Sequence, residues 1–181
     1  MNANRTLKDI LLEEAEKTYT ITENLFRMVA NTDLSWKPAT GKNWMTMGQL
    51  LMHCASYGCG KAVKGFIKGE WGMPEGTNPE VINTDLHVPP LSKLPSVENI
   101  KQGMEMLAAD RNLTLHCIED VKERSLLADR FIAPWGGPKV TLFQHLLMMI
   151  AHLAQHKGQL FYYLKLLGKN VDSSDLWGSV G

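Results

Sequence analysis

His152 and His156 stand four residues apart in a long apolar run, His152-Leu-Ala-Gln-His156, which continues directly into Lys157-Gly158-Gln159. In a helix the two imidazoles lie one above the other on the same face, about 6 Å apart in rise, close enough for one metal ion to bridge. A third imidazole, His53, lies far upstream in another strongly apolar segment. Three imidazoles turned into one helical core suggest an open-sided divalent metal site. Spacing alone weighs that reading evenly against two core histidines satisfied by hydrogen bonds, because the pattern is short and helices are common.

Other chemistries lack their residues. Leu153 follows His152 where a zincin-type HExxH pair needs glutamate, and the paired Glu-x-x-His pattern of a di-iron bundle does not occur. Cys54 adjoins His53 but points about 100° away around a helix, so no Cys–His nucleophile pair is set up. His145 shares the helical face of His152, yet it lies about 10 Å along the axis from His152 and about 16 Å from His156, too far for one ion. It reads as a cavity-wall or helix-end residue. Tyr57, four residues beyond His53, reaches the same polar cavity, whereas Gln49 is assigned to capping. His87 in a loop and His116 on a helix read as solvated or satisfied imidazoles.

Four helical segments must position these groups. The first runs from about Thr6 to Ala30, followed by a connector from Asn31 to Asn43. The second starts with the capping box Thr46-Met-Gly-Gln49, continues to about Lys68 and is ended by Gly69. The stretch from Gly69 to Pro95, rich in Gly, Pro and Asn, reads as a long crossing loop. The third helix is expected from near Ser96 to about Arg124. A loop containing Pro134-Trp-Gly-Gly-Pro138 then leads to a second capping box, Thr141-Leu-Phe-Gln144, which opens a fourth helix ending at Gly168. No strand is expected. The fourth helix carries an unbroken seam of Leu142, Leu146, Met149, Leu153, His156, Leu160, Tyr163 and Leu167. Its opposite face, with Phe143, Leu147, Ala151, Ala154, Gly158 and Phe161, is also apolar, and this predicts packing against a second copy of the chain. The pattern as a whole predicts an all-α four-helix bundle with a long crossover between helices 2 and 3.

The 181 residues suit one domain, 1–181, able to bury a core without metal or disulfide staples. Nineteen basic residues balance nineteen acidic ones, and no basic run occurs, so the electrostatic footprint of a nucleic-acid binder is missing. No apolar run approaches a membrane span and no signal-peptide region is present, which predicts a cytoplasmic location. Cys54, Cys59 and Cys117 form no CxxC pair and fit a reducing compartment as small buried side chains.

The segment His152-x-x-x-His156-Lys-Gly-Gln-Leu-Phe-Tyr-Tyr-Leu-Lys-Leu-Leu-Gly168 resembles the HxxxHRGQ-containing last helix of the DinB-like superfamily. Trp44-Met-Thr-Met-Gly-Gln-Leu-Leu-Met-His53 resembles its second-helix motif, and Pro134-Trp-Gly-Gly137 the loop before its last helix. Lys157 stands where arginine is more usual, which keeps the charge but not bidentate bonding. The resemblance implies a four-helix bundle, usually a homodimer, with a divalent metal held by His53, His152 and His156. The superfamily includes thiol S-transferases using bacillithiol or mycothiol and a maleylpyruvate isomerase; its name reflects DNA-damage induction, not DNA binding. The implied function is activation of a small thiol, or of water, for S-transfer or hydrolysis on a small molecule, with Tyr57 and His145 as candidate proton-handling residues. All-imidazole ligation admits several metals, with Zn or Ni leading and Fe or Mn following. The competing class is a non-catalytic metal- or ligand-binding dimeric bundle.

Overall fold

The computed structural model describes residues 5–71 and 91–178. The long helices are α1 (Leu7–Arg27), α2 (Met47–Ser56), α3 (Gly60–Lys68), α4 (Ile100–Glu119) and α6 (Leu142–Leu166), with short helices α5 (Ser125–Ala128) and α7 (Ser173–Trp177). The chain is mostly helical, as expected. α1 packs on both α4 and α6, and so do α2 and α3. Leu11, Leu25, Leu50, Leu51, Leu146, Leu153 and Leu160, all fully buried, fill the space they enclose. Among the described residues no helix is long and apolar enough to cross a membrane.

The helix starts follow their caps. Thr46 Oγ1 accepts from the Gln49 N–H while Gln49 Oε1 accepts from the Thr46 N–H, and Thr141 and Gln144 repeat this at α6. At the other ends Gly69 and Gly168 both take φ +74°, the left-handed conformation that lets the chain turn off a helix. Lys157, 7% exposed, sends its Nζ to the Leu176 carbonyl at 2.7 Å and so ties α7 back onto α6.

Three expectations are corrected. The second helix is not continuous to Lys68: it breaks at Tyr57–Cys59 into α2 and α3. The third begins at Ile100, because Asn99 rather than Ser96 supplies the cap, its side chain accepting from Gln102 N–H. Val97 instead lies buried ahead of the helix, its N–H bonded to the Gly48 carbonyl. The loop after α4 is not strandless: β1 (Arg130–Phe131) pairs antiparallel with β2 (Val140–Thr141), with Arg130 opposite Thr141. The outer face of α6, expected to pack against a second copy, is partly covered within the chain: Phe161 is buried, whereas Leu147 is 40% exposed. The long crossing loop and His87 fall mostly outside the described residues.

Candidate metal centre

α2 delivers His53, and α6 delivers His152 and His156 one turn apart. The three rings converge, with one ligand nitrogen from each lying within 4.8 Å of the others. Nε2 of His152 is 3.1 Å from Nε2 of His156 and 3.5 Å from Nε2 of His53. Two imidazole nitrogens bound tetrahedrally at zinc distances stand about 3.3 Å apart, so both separations match one shared ion.

Hydrogen bonds on the far side of the rings decide where the protons are. His152 Nδ1 is 2.9 Å from the Gly58 carbonyl. A carbonyl only accepts, so Nδ1 carries the proton and Nε2 a lone pair. The break between α2 and α3 supplies this acceptor, because in an unbroken helix the Gly58 carbonyl would be bonded to a backbone N–H. For His156 the assignment propagates from further away. Tyr163 donates its hydroxyl proton to the Met45 carbonyl at 3.0 Å, so it can only accept from Gln159 Nε2 at 3.2 Å. That turns Gln159 Oε1 towards His156 Nδ1, at 3.1 Å, and makes Nδ1 the donor again. Two Nε2 lone pairs therefore face each other at 3.1 Å with no proton between them, a repulsive arrangement unless a cation sits there. The donor set fits a divalent ion.

Burial and the neighbouring imidazoles push the His53 imidazole down to about 4, and burial likewise lowers His156. The metal-free folded cluster thus binds fewer protons than the unfolded chain from pH 6.5 down to about 4. Its stability is complete above that window and is lost as the pH falls through it. Thermal melts in chelator should show Tm declining across this range, and His53→Phe should flatten the decline. A decline unchanged in that variant would refute this assignment.

Tyr57 closes α2, with its ring stacked against His53 at 5.8 Å and 23°. Together with His152 it lines a cleft of about 530 Å³ whose other walls include Trp135, Met148, Met149 and Ala62. The volume suits a small molecule. His145 is not brought to the cluster. It is 2% exposed, packs against the rings of Phe66 (4.3 Å) and Phe131 (4.7 Å), and donates Nε2–H to the Phe131 carbonyl at 3.0 Å. His116 is exposed beside Asp120. Sequence reasoning missed Gly58, Gln159 and Tyr163. The last two were readable, because Gln159 and Tyr163 follow His156 at three and seven residues and so share its face.

A helical bundle that gathers three imidazoles into a pocket able to hold a metal ion defines the class. The DinB superfamily model matches residues 14–160, and the chain belongs to that superfamily. In fold it is similar to a DinB-like protein from Bacillus subtilis, with a TM-score of 0.61 and 17% identity over 90% of this chain and 94% of that one. A DinB-like protein from Bacillus cereus is similar to the same degree, with a TM-score of 0.63, 15% identity and the same coverage, 90% and 94%. No curated protein matches the chain.

Proposed function

We propose that this protein is a divalent-metal-dependent enzyme that activates a small thiol, or water, for S-transfer or hydrolysis on a small molecule. The observation that carries the reading is the convergence of three imidazoles, two of them hydrogen-bonded on their outer nitrogens, beside a cleft of substrate size. His53, His152 and His156 would hold the ion, with Zn or Ni the leading candidates and Fe or Mn next. When bound, such an ion supplies Lewis acidity that favours the thiolate or hydroxide form of a small molecule on its open side. The chain itself fixes the tautomers of His152 and His156 through Gly58 and Gln159. Trp135, Met148 and Met149 give the cleft an apolar wall that receives the apolar part of a substrate.

The nucleophile comes from outside the chain. Cys54 and Cys59 are buried and their thiols are pushed up to about 12, so neither is a thiolate near neutrality. Tyr57, 53% exposed at the cleft, is assigned the handling of the substrate proton. His145, buried against two phenylalanine rings, has no path to it.

The test is a panel of low-molecular-weight thiols with aryl halide or epoxide electrophiles, and a panel of esters, run on metal-loaded and chelator-stripped protein. Turnover that disappears on stripping and returns with Zn²⁺ supports the reading. Stoichiometric metal with no turnover of either panel would replace it with a non-catalytic metal- or ligand-binding bundle.

The same proposal includes a cytoplasmic homodimer formed through α6, whose outer face leaves Leu147 40%, Tyr162 62% and Leu166 65% exposed. Light scattering at micromolar concentration should return a dimer, converted to monomer by Leu147→Arg. A clean monomer for the wild type would refute this part.

A further inference from the structure

One buried polar cluster touches none of the three histidines. Asp110, on α4, is 6% exposed, and burial pushes its carboxyl above the usual carboxylate range. A carboxyl at such a position is tolerated when its oxygens are bonded. The Tyr19 hydroxyl donates to Oδ2 at 2.6 Å, and the Gly60 N–H reaches Oδ1 at 3.1 Å and Oδ2 at 3.2 Å. Thr114, fully buried, donates from Oγ1 to the Asp110 carbonyl at 2.9 Å and lies 2.9 Å from the Tyr19 hydroxyl.

Gly60 is the first residue of α3, which takes no cap from its own preceding side chain. Asp110 caps it from another helix, with its carboxyl at the positive end of the α3 dipole. The fit is close: a Cβ on Gly60 would meet Asp110 Oδ1 at 2.5 Å and the Asp110 carbonyl oxygen at 2.8 Å. Two residues earlier stands Gly58, whose carbonyl receives the His152 Nδ1–H. Gly58 is boxed in as well, since a Cβ there would meet the Cys54 carbonyl oxygen at 2.3 Å. Cys59, 1% exposed, is all that separates the two glycines.

We infer that Asp110 is a positioning residue for the metal site: by holding the N-terminus of α3 it fixes the Gly58 carbonyl, which sets the tautomer and direction of His152. Its consequence for metal rests on the three-histidine function proposed above, but its geometry does not. Asp110 itself touches neither ion nor substrate.

The test uses the full chain with ¹⁵N-labelled histidine, both metal-free and titrated with Co²⁺ alone. In the wild type, His152 is the Nδ1–H tautomer and that proton exchanges slowly. Asp110→Ala should mix the His152 tautomers, speed that exchange and weaken Co²⁺ binding 10- to 100-fold, roughly the effect of losing an outer-shell partner. His156, held by Gln159, should keep its tautomer. Asp110→Asn retains an oxygen for the Gly60 N–H and offers its amide to the Tyr19 hydroxyl, so it should restore both signals to within about threefold of wild type. Leu107→Ala, which opens a cavity on the same helix, measures the effect of destabilisation alone. The inference is overturned if Leu107→Ala perturbs His152 as much as Asp110→Ala, or if Asp110→Ala leaves the His152 tautomer and Co²⁺ affinity unchanged. Should Asp110→Ala not fold, Tyr19→Phe removes one donor to the carboxyl without changing shape, and the same two signals decide. If the wild type binds no Co²⁺, the proposed function fails, while the metal-free tautomer still decides the role of Asp110.

Discussion

His156→Ala and His53→Ala are each expected to empty the metal centre. Elemental analysis of wild-type protein purified without a nickel column should give one divalent metal per chain, and each variant should give none. Loss of an outer-shell partner typically costs 10- to 100-fold in affinity, and loss of a ligand atom itself should exceed the top of that range. Two imidazoles that remain cannot compensate, because among the described residues no carboxylate stands with the three histidines in the cluster. The loss should also register in stability. An ion at about a thousand times its Kd stabilises the folded chain by about 4 kcal/mol, which for a chain of this size is roughly 8–16 °C in Tm. Wild-type protein should show that rise on adding Zn²⁺, and neither variant should. Full metal retention in either variant would remove that histidine from the ligand set.

The features legible in the sequence were those set by neighbours a few residues apart. Thr46 with Gln49 and Thr141 with Gln144 announce helix starts, because a capping box closes within one turn. Gly69 and Gly168 announce helix ends for the same local reason, and the four-residue spacing of His152 and His156 needs only helical geometry to put both on one face. What remained hidden depends on groups distant in the chain. The run from Tyr57 to Cys59 continues a helical apolar pattern, and what stabilises its break is Asp110, fifty residues beyond Gly60. Spacing correctly put His145 on the face of His152, but it is buried there against Phe66 and Phe131, from two other segments. Ser96 and Asn99 both look like caps; Asn99 is the cap because Val97, between them, is buried and bonded to the Gly48 carbonyl. Gly58 and Gly60 inside one apparent helix were a readable sign of interruption, since glycine there costs about 1 kcal/mol relative to alanine unless its small size is needed.

That need for small size gives the second large effect. Gly60→Ala should destabilise the protein by about 2 kcal/mol, even though alanine is the better helix former by at most about 1 kcal/mol. The added methyl would lie 2.5 Å from Asp110 Oδ1 and 2.8 Å from its carbonyl oxygen. Neither atom can retreat cheaply, because the Tyr19 hydroxyl holds the carboxyl, and the carbonyl, which accepts from Thr114, belongs to the α4 backbone. Relief would come from moving α3 away, which weakens the bond from the Gly60 N–H and leaves buried polar groups underbonded, at a cost of about 1–3 kcal/mol. Sterics therefore outweigh propensity. Gly158 supplies the opposite case: it lies inside α6, and a Cβ there has no neighbour within 4 Å. Gly158→Ala should stabilise the isolated chain by up to about 1 kcal/mol. Urea titrations of both variants, with the slope unchanged from wild type, read the two signs directly. A gain in stability from Gly60→Ala would show that α3 does not pack against Asp110 as closely as required, and the link from Asp110 to His152 would fall with it. A loss at Gly158 that deepens with protein concentration would instead mark close approach of a second α6 at that glycine.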